Sequence, residues 1–296
     1  MPVTRPIKNH IQALKKQYDI LKKGKDSLLN LIDQTEIPES VYNSNAIENS
    51  TLTFKETEKI LLEMEMSRDV SVREVYEAKN LARVMDYIKK KSEESEINRE
   101  LILLLHQMLI GGIDDNISGR FRNTGEYVRV GTHIAPPPEK VSSMIAVIIN
   151  QYVSDKEKYF LDKISLFHLD FETVHPFCDG NGRIGRALMC YQLVQLGYPP
   201  IIIRDKEKGN YYNAFGEYRF KKNTKPMEKI VALSVMESLH KRIAYLSGEE
   251  IITLSDYAKI KNKKAPALFN AAKRQNIPAF RERGVWKISS DWKDSK

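Results

Sequence analysis

The chain has 296 residues, of which 42% are hydrophobic and 29% charged, with only two cysteines. That balance builds a core and excludes a disordered chain, a collagen-like repeat and a disulfide-held secreted scaffold. Its net charge of +8 is unevenly spread: eleven basic and four acidic residues fall in 251–296, so that segment carries +7 and residues 1–250 only +1. A nearly neutral body does not hold nucleic acid by charge alone, whereas a small basic tail has the means to do so. The first stretch, with Lys8, His10, Lys15, Lys16 and Asp19, has no apolar signal core, and no membrane-length apolar span follows. The expectation is a soluble cytoplasmic protein with no membrane contact.

Apolar residues recurring every three or four positions predict a long first helix from Lys8 to Asp33, with Ile11, Leu14, Ile20, Leu21, Leu28, Leu29 and Ile32 available for burial. The same rhythm predicts helices over 54–67, 71–92, 96–110, 138–153, 157–174, 183–196, 208–222 and 226–247. Ser71, three residues before Glu74, and the prolines Pro138 and Pro226 are plausible helix starts. The body therefore reads as all-α. Between Gly111 and Pro138, five glycines and the run Pro136-Pro137-Pro138 surround the weakly alternating Tyr127-Val128-Arg129-Val130, which predicts a short hairpin acting as a substrate or cofactor flap. A second interruption, Tyr198 to Gly209, holds Pro199-Pro200 and then Ile201-Ile202-Ile203, expected to be extended.

The last 46 residues change character. Helices over 254–260 and 265–275, then two strands across 277–288 around Arg283-Gly284, form the pattern of a winged helix-turn-helix. Lys273 and Arg274 fall on its candidate recognition helix, with Arg281 and Arg283 near the wing. Such a unit contacts DNA or protein.

The strongest local signal runs from His175 to Arg186: His-Pro-Phe-Cys-Asp-Gly-Asn-Gly-Arg-Ile-Gly-Arg. Gly180, Gly182 and Gly185 match the spacing of a dinucleotide-binding turn, with Asp205 standing 20 residues beyond Gly185. The context argues against that fold, because Ile164, Phe167, His168, Phe171 and Val174 mark a helix where a strand is required. What remains is a tight turn between two helices, whose N–H groups suit an anion. Arg183 and Arg186 project from nearly one face toward phosphate oxygens, Asp179 suits Mg²⁺, and His175 suits a proton acceptor. Cys178 reads as a packing residue, and His106, His133 and His168 do not make a zinc ligand set.

These residues resemble the Fic family, whose pattern HPFxxGNGRxxR is complete here. The resemblance implies a helical catalytic core that uses ATP and Mg²⁺ to transfer AMP to a Tyr, Ser or Thr hydroxyl of a protein. It implies His175 as the base, Asp179 as the Mg²⁺ ligand, and a nucleotide-binding run of Gly180, Asn181, Gly182, Arg183, Ile184, Gly185 and Arg186. Val128, Arg129, Val130 and Gly131 would form the flap that pairs with an extended target segment. Tyr211 and Tyr212 would line the adenine side, while Arg219 stands near a position where relatives have Asn. Ser44-Asn45-Ala46-Ile47-Glu48-Asn49 resembles the family's inhibitory pattern, which implies Glu48 placed against Arg186. The implied organisation is an N-terminal helical region (1–95) with the inhibitory motif at 44–49, a catalytic core (96–248) and a winged-helix-like unit (249–296). Self-modification and a homodimer through exposed helix faces are further expectations. Two other readings stay open: removal of AMP from a modified protein at the same site, and a DNA-binding regulator whose body senses nucleotide.

Overall fold

The computed structural model describes residues 4–66, 70–92 and 95–293. The body begins with α1 (Arg5–Leu21), α2 (Asp26–Ile47), α3 (Phe54–Glu58) running into a π-helical turn (Lys59–Glu63), α4 (Val72–Lys91) and α5 (Arg99–Ile110). A two-stranded hairpin, β1 (Arg129–Val130) and β2 (His133–Ile134), precedes α6 (Pro138–Ser154), α7 (Phe160–Val174) and α8 (Asn181–Gln195). After a 3-10 turn (Asp205–Glu207) come α9 (Lys208–Lys221) and α10 (Lys225–Leu246). The C-terminal unit is β3 (Ile251–Thr253), α11 (Leu254–Ile260), α12 (Ala265–Lys273), β4 (Phe280–Glu282) and β5 (Val285–Ser289), with antiparallel strand order β3-β5-β4.

The single first helix expected over Lys8–Asp33 is two helices. Gly24 adopts φ +70°, a left-handed conformation that stops α1 and lets the chain fold back. The second helix then runs through Pro38 to Ile47, so the proline does not end it. Ser71 does begin α4, but its side chain caps nothing; Glu74 instead accepts hydrogen bonds from Ser50 Oγ (2.9 Å) and Thr51 N (2.5 Å). The capping box sits one helix earlier, between Thr53 and Glu56. The segment after Pro199-Pro200 forms no strand, although Ile201 and Ile203 are buried.

Nearly every residue of α8 is buried, as expected of a helix at the centre of a bundle. It serves two apolar clusters: Met189 and Leu193 join Ile11, Tyr18, Leu161 and Leu239, while Leu188 and Tyr191 join Leu81, Leu105, Val141 and Phe171. Residues before 96 supply side chains to both clusters, so position 95 is not a packing boundary. The C-terminal unit has its own small core of Leu254, Tyr257, Leu268, Trp286 and Ile288.

The wing of that unit faces the body. Arg281 binds Glu237 (2.6 Å) and Glu207 (2.7 Å), and Arg283 pairs with Glu58. The two arginines placed near the wing thus both pair with carboxylates of the body. Lys273 and Arg274 remain exposed.

Candidate active site

Residue His175 caps α7 in a left-handed conformation (φ 50°, ψ 64°), which turns the chain sharply into the glycine-rich loop. The turn is fixed by Asn181, whose Oδ1 accepts from Phe177 N (2.9 Å) and whose Nδ2 donates to Phe177 O (2.8 Å). Gly180 opens α8 at φ +81°, and a Cβ there would stand 3.0 Å from Leu109 Cδ2. The start of α8 has no side-chain cap. Its orphan N–H groups and the positive end of the helix dipole therefore face the loop, as an anion site requires.

Residue His106 braces this turn from below. Its ring stacks on Phe177 with centroids 3.7 Å apart, its Nε2 donates to Asp179 O (3.1 Å), and its Nδ1 accepts from Gly119 N (3.0 Å). Burial pushes this imidazole down to about 4, so it stays neutral. A second brace is Arg122, which is buried and donates to the carbonyls of His175 (2.9 Å), Glu126 (2.9 Å) and Pro136 (2.9 Å). One guanidinium thus ties the end of α7 to both ends of the flap segment.

The hairpin pairs Arg129 with Ile134 and Val130 with His133. Val128 O accepts from Ala135 N (3.0 Å), and Gly131 makes the turn at φ +57°. His133 Nε2 donates to Thr173 O (2.8 Å), holding the flap over the end of α7. His175 Nδ1 lies 3.6 Å from Glu172 Oε2. Burial alone would raise Glu172, but His175 and His168 beside it hold the carboxyl below its ordinary value.

The two motif arginines meet carboxylates. Arg183 contacts Glu77 (3.0 Å) and Asp179 (3.1 Å), and Arg73 bridges the same two acids. Against a burial effect that would raise it, Asp179 is held low by Arg183, the Gly180 N–H and Arg73. Arg186 donates from Nε to Ser44 Oγ (2.9 Å), and from Nη2 to Ser44 O (2.9 Å) and Glu48 Oε1 (2.8 Å). The sequence around Glu48 explains that placement. Ser44 lies one helical turn before Glu48 on α2, which ends at Ile47, and Asn49 takes φ +68° to leave the helix, a role open to Asn or Gly. Tyr212 fixes this terminus by donating its hydroxyl to Ile47 O (2.8 Å).

Not all expected positions face the cleft. Tyr211 is 2% exposed, its hydroxyl hydrogen-bonded to His168 (2.7 Å) and facing Arg186 Nη1 at 3.4 Å. It supports Arg186 from the core, and of the pair only Tyr212 presents its ring to solvent. Ile184 is likewise fully buried, and Gly185 is the close-approach point of His168 and Glu172, whose side chains leave no room for a Cβ. Burial and the neighbouring Glu126 push the Cys178 thiol up to about 11, which keeps it protonated. Arg73, Glu77, His106, Arg122 and Glu172 were not among the expected site residues. His106 alone left a local signal, a polar ring in the apolar run Leu101–Ile110.

Residues 96–193 match the Fic/DOC family model. Among curated proteins, a protein adenylyltransferase Fic of Nematostella vectensis is 30% identical over 221 residues, covering 72% of this chain and 50% of that protein. Another of the same name from Drosophila grimshawi is 33% identical over 178 residues, covering 58% of this chain and 36% of that protein. The chain thus spans half or less of the length of these relatives. A Fic-domain signaling protein of Bacteroides thetaiotaomicron has a similar fold (TM-score 0.73, 24% identity, 81% of this chain and 97% of that one). A Fic family protein of Desulfovibrio desulfuricans is similar across the C-terminal unit as well (TM-score 0.65, 18% identity, 99% and 98%). With the whole His175–Arg186 motif inside the matched segment, residues 96–193 of this chain form a Fic/DOC-family domain.

Proposed function

We propose that the protein transfers AMP from ATP to a Tyr, Ser or Thr hydroxyl of a protein substrate, and that Glu48 restrains the reaction. The observation that carries this reading is the juxtaposition of His175, the open start of α8 and the hairpin, held together by Arg122. The names of the curated relatives support the same activity.

In the proposed reaction a target hydroxyl oxygen attacks the α-phosphorus of ATP, the bond to pyrophosphate breaks, and the hydroxyl proton passes to the His175 imidazole. The loop N–H groups, Arg183 and Arg186 stabilise the charge on the phosphates. The edge of a two-stranded hairpin offers main-chain groups to an extended target segment, which selects a strand conformation more than a particular side chain. Asp179 is the carboxylate that would hold Mg²⁺: it is ionised, it borders the loop, and one carboxylate plus substrate phosphates suits that ion. Among the described residues no group of three His, Cys, Asp or Glu forms a self-sufficient metal cage. Arg73 and Arg183 would exchange Asp179 for phosphate as the nucleotide enters.

One observation favours removal of AMP as a second reading. The Glu48 side chain is 37% exposed beside the loop, where a carboxylate is able to orient water. Intact-mass analysis of candidate proteins with ATP and Mg²⁺ tests the first reading: an AMP adduct is expected with the wild type and is absent with His175→Ala. An adduct of equal yield with His175→Ala overturns the assignment of the base. Loss of AMP from a pre-modified protein with the wild type, but not with Glu48→Gln, selects removal.

A further inference from the structure

A cavity of about 680 Å³ opens between α9, α10 and the C-terminal unit. It is separate from the site above, since neither the glycine-rich loop, the hairpin nor Glu48 lines it; Tyr211 is the common wall. Its rim carries Lys225 and Lys229 from the start of α10 and Lys273 and Arg274 from the end of α12. All four are exposed, and none has a carboxylate partner among the described residues. The two acids that line the cavity are already neutralised. Glu207 pairs with Arg281 (2.7 Å), and Glu237 is shared by Arg204 (3.0 Å) and Arg281 (2.6 Å). Arg204 is itself buried, and its Nε has no hydrogen-bond partner.

Four uncompensated cations around one concavity repel each other, and an anion of several charges relieves that repulsion. Phosphate does so with the donors that Lys and Arg present. The interior is not purely ionic. Ile230 and Leu233 give it an apolar wall, and Asn210 and Asn213 add amides that can recognise ring nitrogens and carbonyls. The volume falls within the roughly 300–1,000 Å³ of small-ligand sites. We propose that this cavity binds a phosphorylated small molecule of nucleotide size, its phosphates on the Lys225, Lys229, Lys273 and Arg274 rim and its ring against Ile230 and Leu233. A nucleic-acid duplex fits less well, because the ligand surface is concave and the wing arginines are engaged by the body.

The test is calorimetric titration of the full chain with inorganic tripolyphosphate, with ATP and GTP, and with a short DNA duplex. Three proteins are compared: wild type, Lys229→Glu/Arg274→Glu, and Gly182→Ala, whose added methyl fills the glycine-rich loop. Both reversed positions are exposed, and unchanged circular dichroism checks the fold. Saturable binding of tripolyphosphate or a nucleotide is expected that survives Gly182→Ala and weakens at least about tenfold in the double variant. Equal affinity in the wild type and the double variant overturns the proposal, as does absence of saturable binding. Duplex binding that the double variant abolishes, with no binding of tripolyphosphate or nucleotide, overturns it in favour of a nucleic-acid surface.

Discussion

The backbone N–H of Gly284, at the tip of the wing, donates to Glu39 Oε1 at 3.0 Å. Glu39 lies on α2, the helix that ends at the Ser44 and Glu48 contacts with Arg186. It also pairs with Arg204, which shares Glu237 with Arg281 of β4, so the C-terminal unit and α2 meet in one buried ionic network. Three residues earlier on the same helix, Glu36 is held by Lys241 (3.0 Å) and Arg242 (2.7 Å).

This network predicts that Glu39→Gln loosens α2 without unfolding the body, since Arg204 keeps Glu237. The expected loss is about 1.5–3 kcal/mol in urea unfolding, the range for a hydrogen bond to a charged group. AMP transfer is expected to rise part of the way toward that of Glu48→Gly, and the double variant to be no faster than Glu48→Gly alone. Additive acceleration would show that Glu39 acts by a route other than Glu48.

Removing the Glu48 carboxylate would release one N–H of Arg186 Nη2 to a nucleotide phosphate. One charge-assisted hydrogen bond at 2.8 Å is lost, and Arg186 keeps its contacts with Ser44. Glu48→Gly is therefore expected to raise AMP transfer, including self-modification, by about tenfold or more, equivalent to about 1.4 kcal/mol. Incorporation of labelled AMP at saturating ATP measures it, and equal incorporation by both proteins sinks the idea.

Gly182 tests whether Glu48 sits where phosphate belongs. A Cβ on Gly182 would lie 2.1 Å from Glu48 Oε1, and the backbone there does not need glycine for its dihedral angles. Gly182→Ala should still fold, because alanine's helix preference of up to about 1 kcal/mol over glycine offsets part of the Arg186–Glu48 bond its methyl breaks. Its methyl displaces Glu48 and fills the same volume, so ATP binding should be weak with or without Glu48. Tight ATP binding by Gly182→Ala/Glu48→Gly would place the phosphates elsewhere.

The glycine-rich loop was legible in the sequence because its signal is local: twelve contiguous residues carry the turn, the helix start and both arginines. The helical body was legible through its three-to-four rhythm, but that rhythm passes through Gly24 unbroken, and a reading weighted by proline stops short of Pro38. The structure does the reverse at both places, since a left-handed glycine reverses the chain while ion pairs at Glu36 and Glu39 hold α2 together on either side of Pro38. The contacts that bring Arg73, Glu77 and Arg122 to the site were illegible, because Asp179 lies 106 residues from Arg73 and His175 lies 53 from Arg122; the i,i+4 spacing of Arg73 and Glu77 marks only a helix-face ion pair. Tyr211 and Tyr212 are chemically equivalent neighbours on α9; only the packing of His168 and Phe215 decides that the first faces inward.

Stability should fall as the solution is acidified, and histidines begin the fall. Burial pushes His106, His168 and His240 each down to about 4 from an ordinary 6.5. Between those values the unfolded chain takes up protons that the folded chain refuses. The stabilisation is complete above pH 6.5 and is lost as pH drops toward 4, by up to about 1.4 kcal/mol per pH unit for each histidine. Glu36 adds to the loss further down. Burial would raise it, but Arg242 and Lys241 hold it at about 2, so its contribution is present above 4.5 and disappears toward pH 2. Asp170 and Glu228, raised by burial above 3.8 and 4.5, act above those values and offset part of the histidine-driven decline. His240 lies outside the cleft, its Nδ1 hydrogen-bonded to Gln275 Oε1 at 2.8 Å, so it isolates the effect. Urea unfolding at pH 7, 6 and 5 should give a declining free energy, and His240→Asn should make that decline shallower whatever its cost at pH 7. A flat profile, or an unchanged slope in that variant, would show that these imidazoles are not kept neutral by the fold.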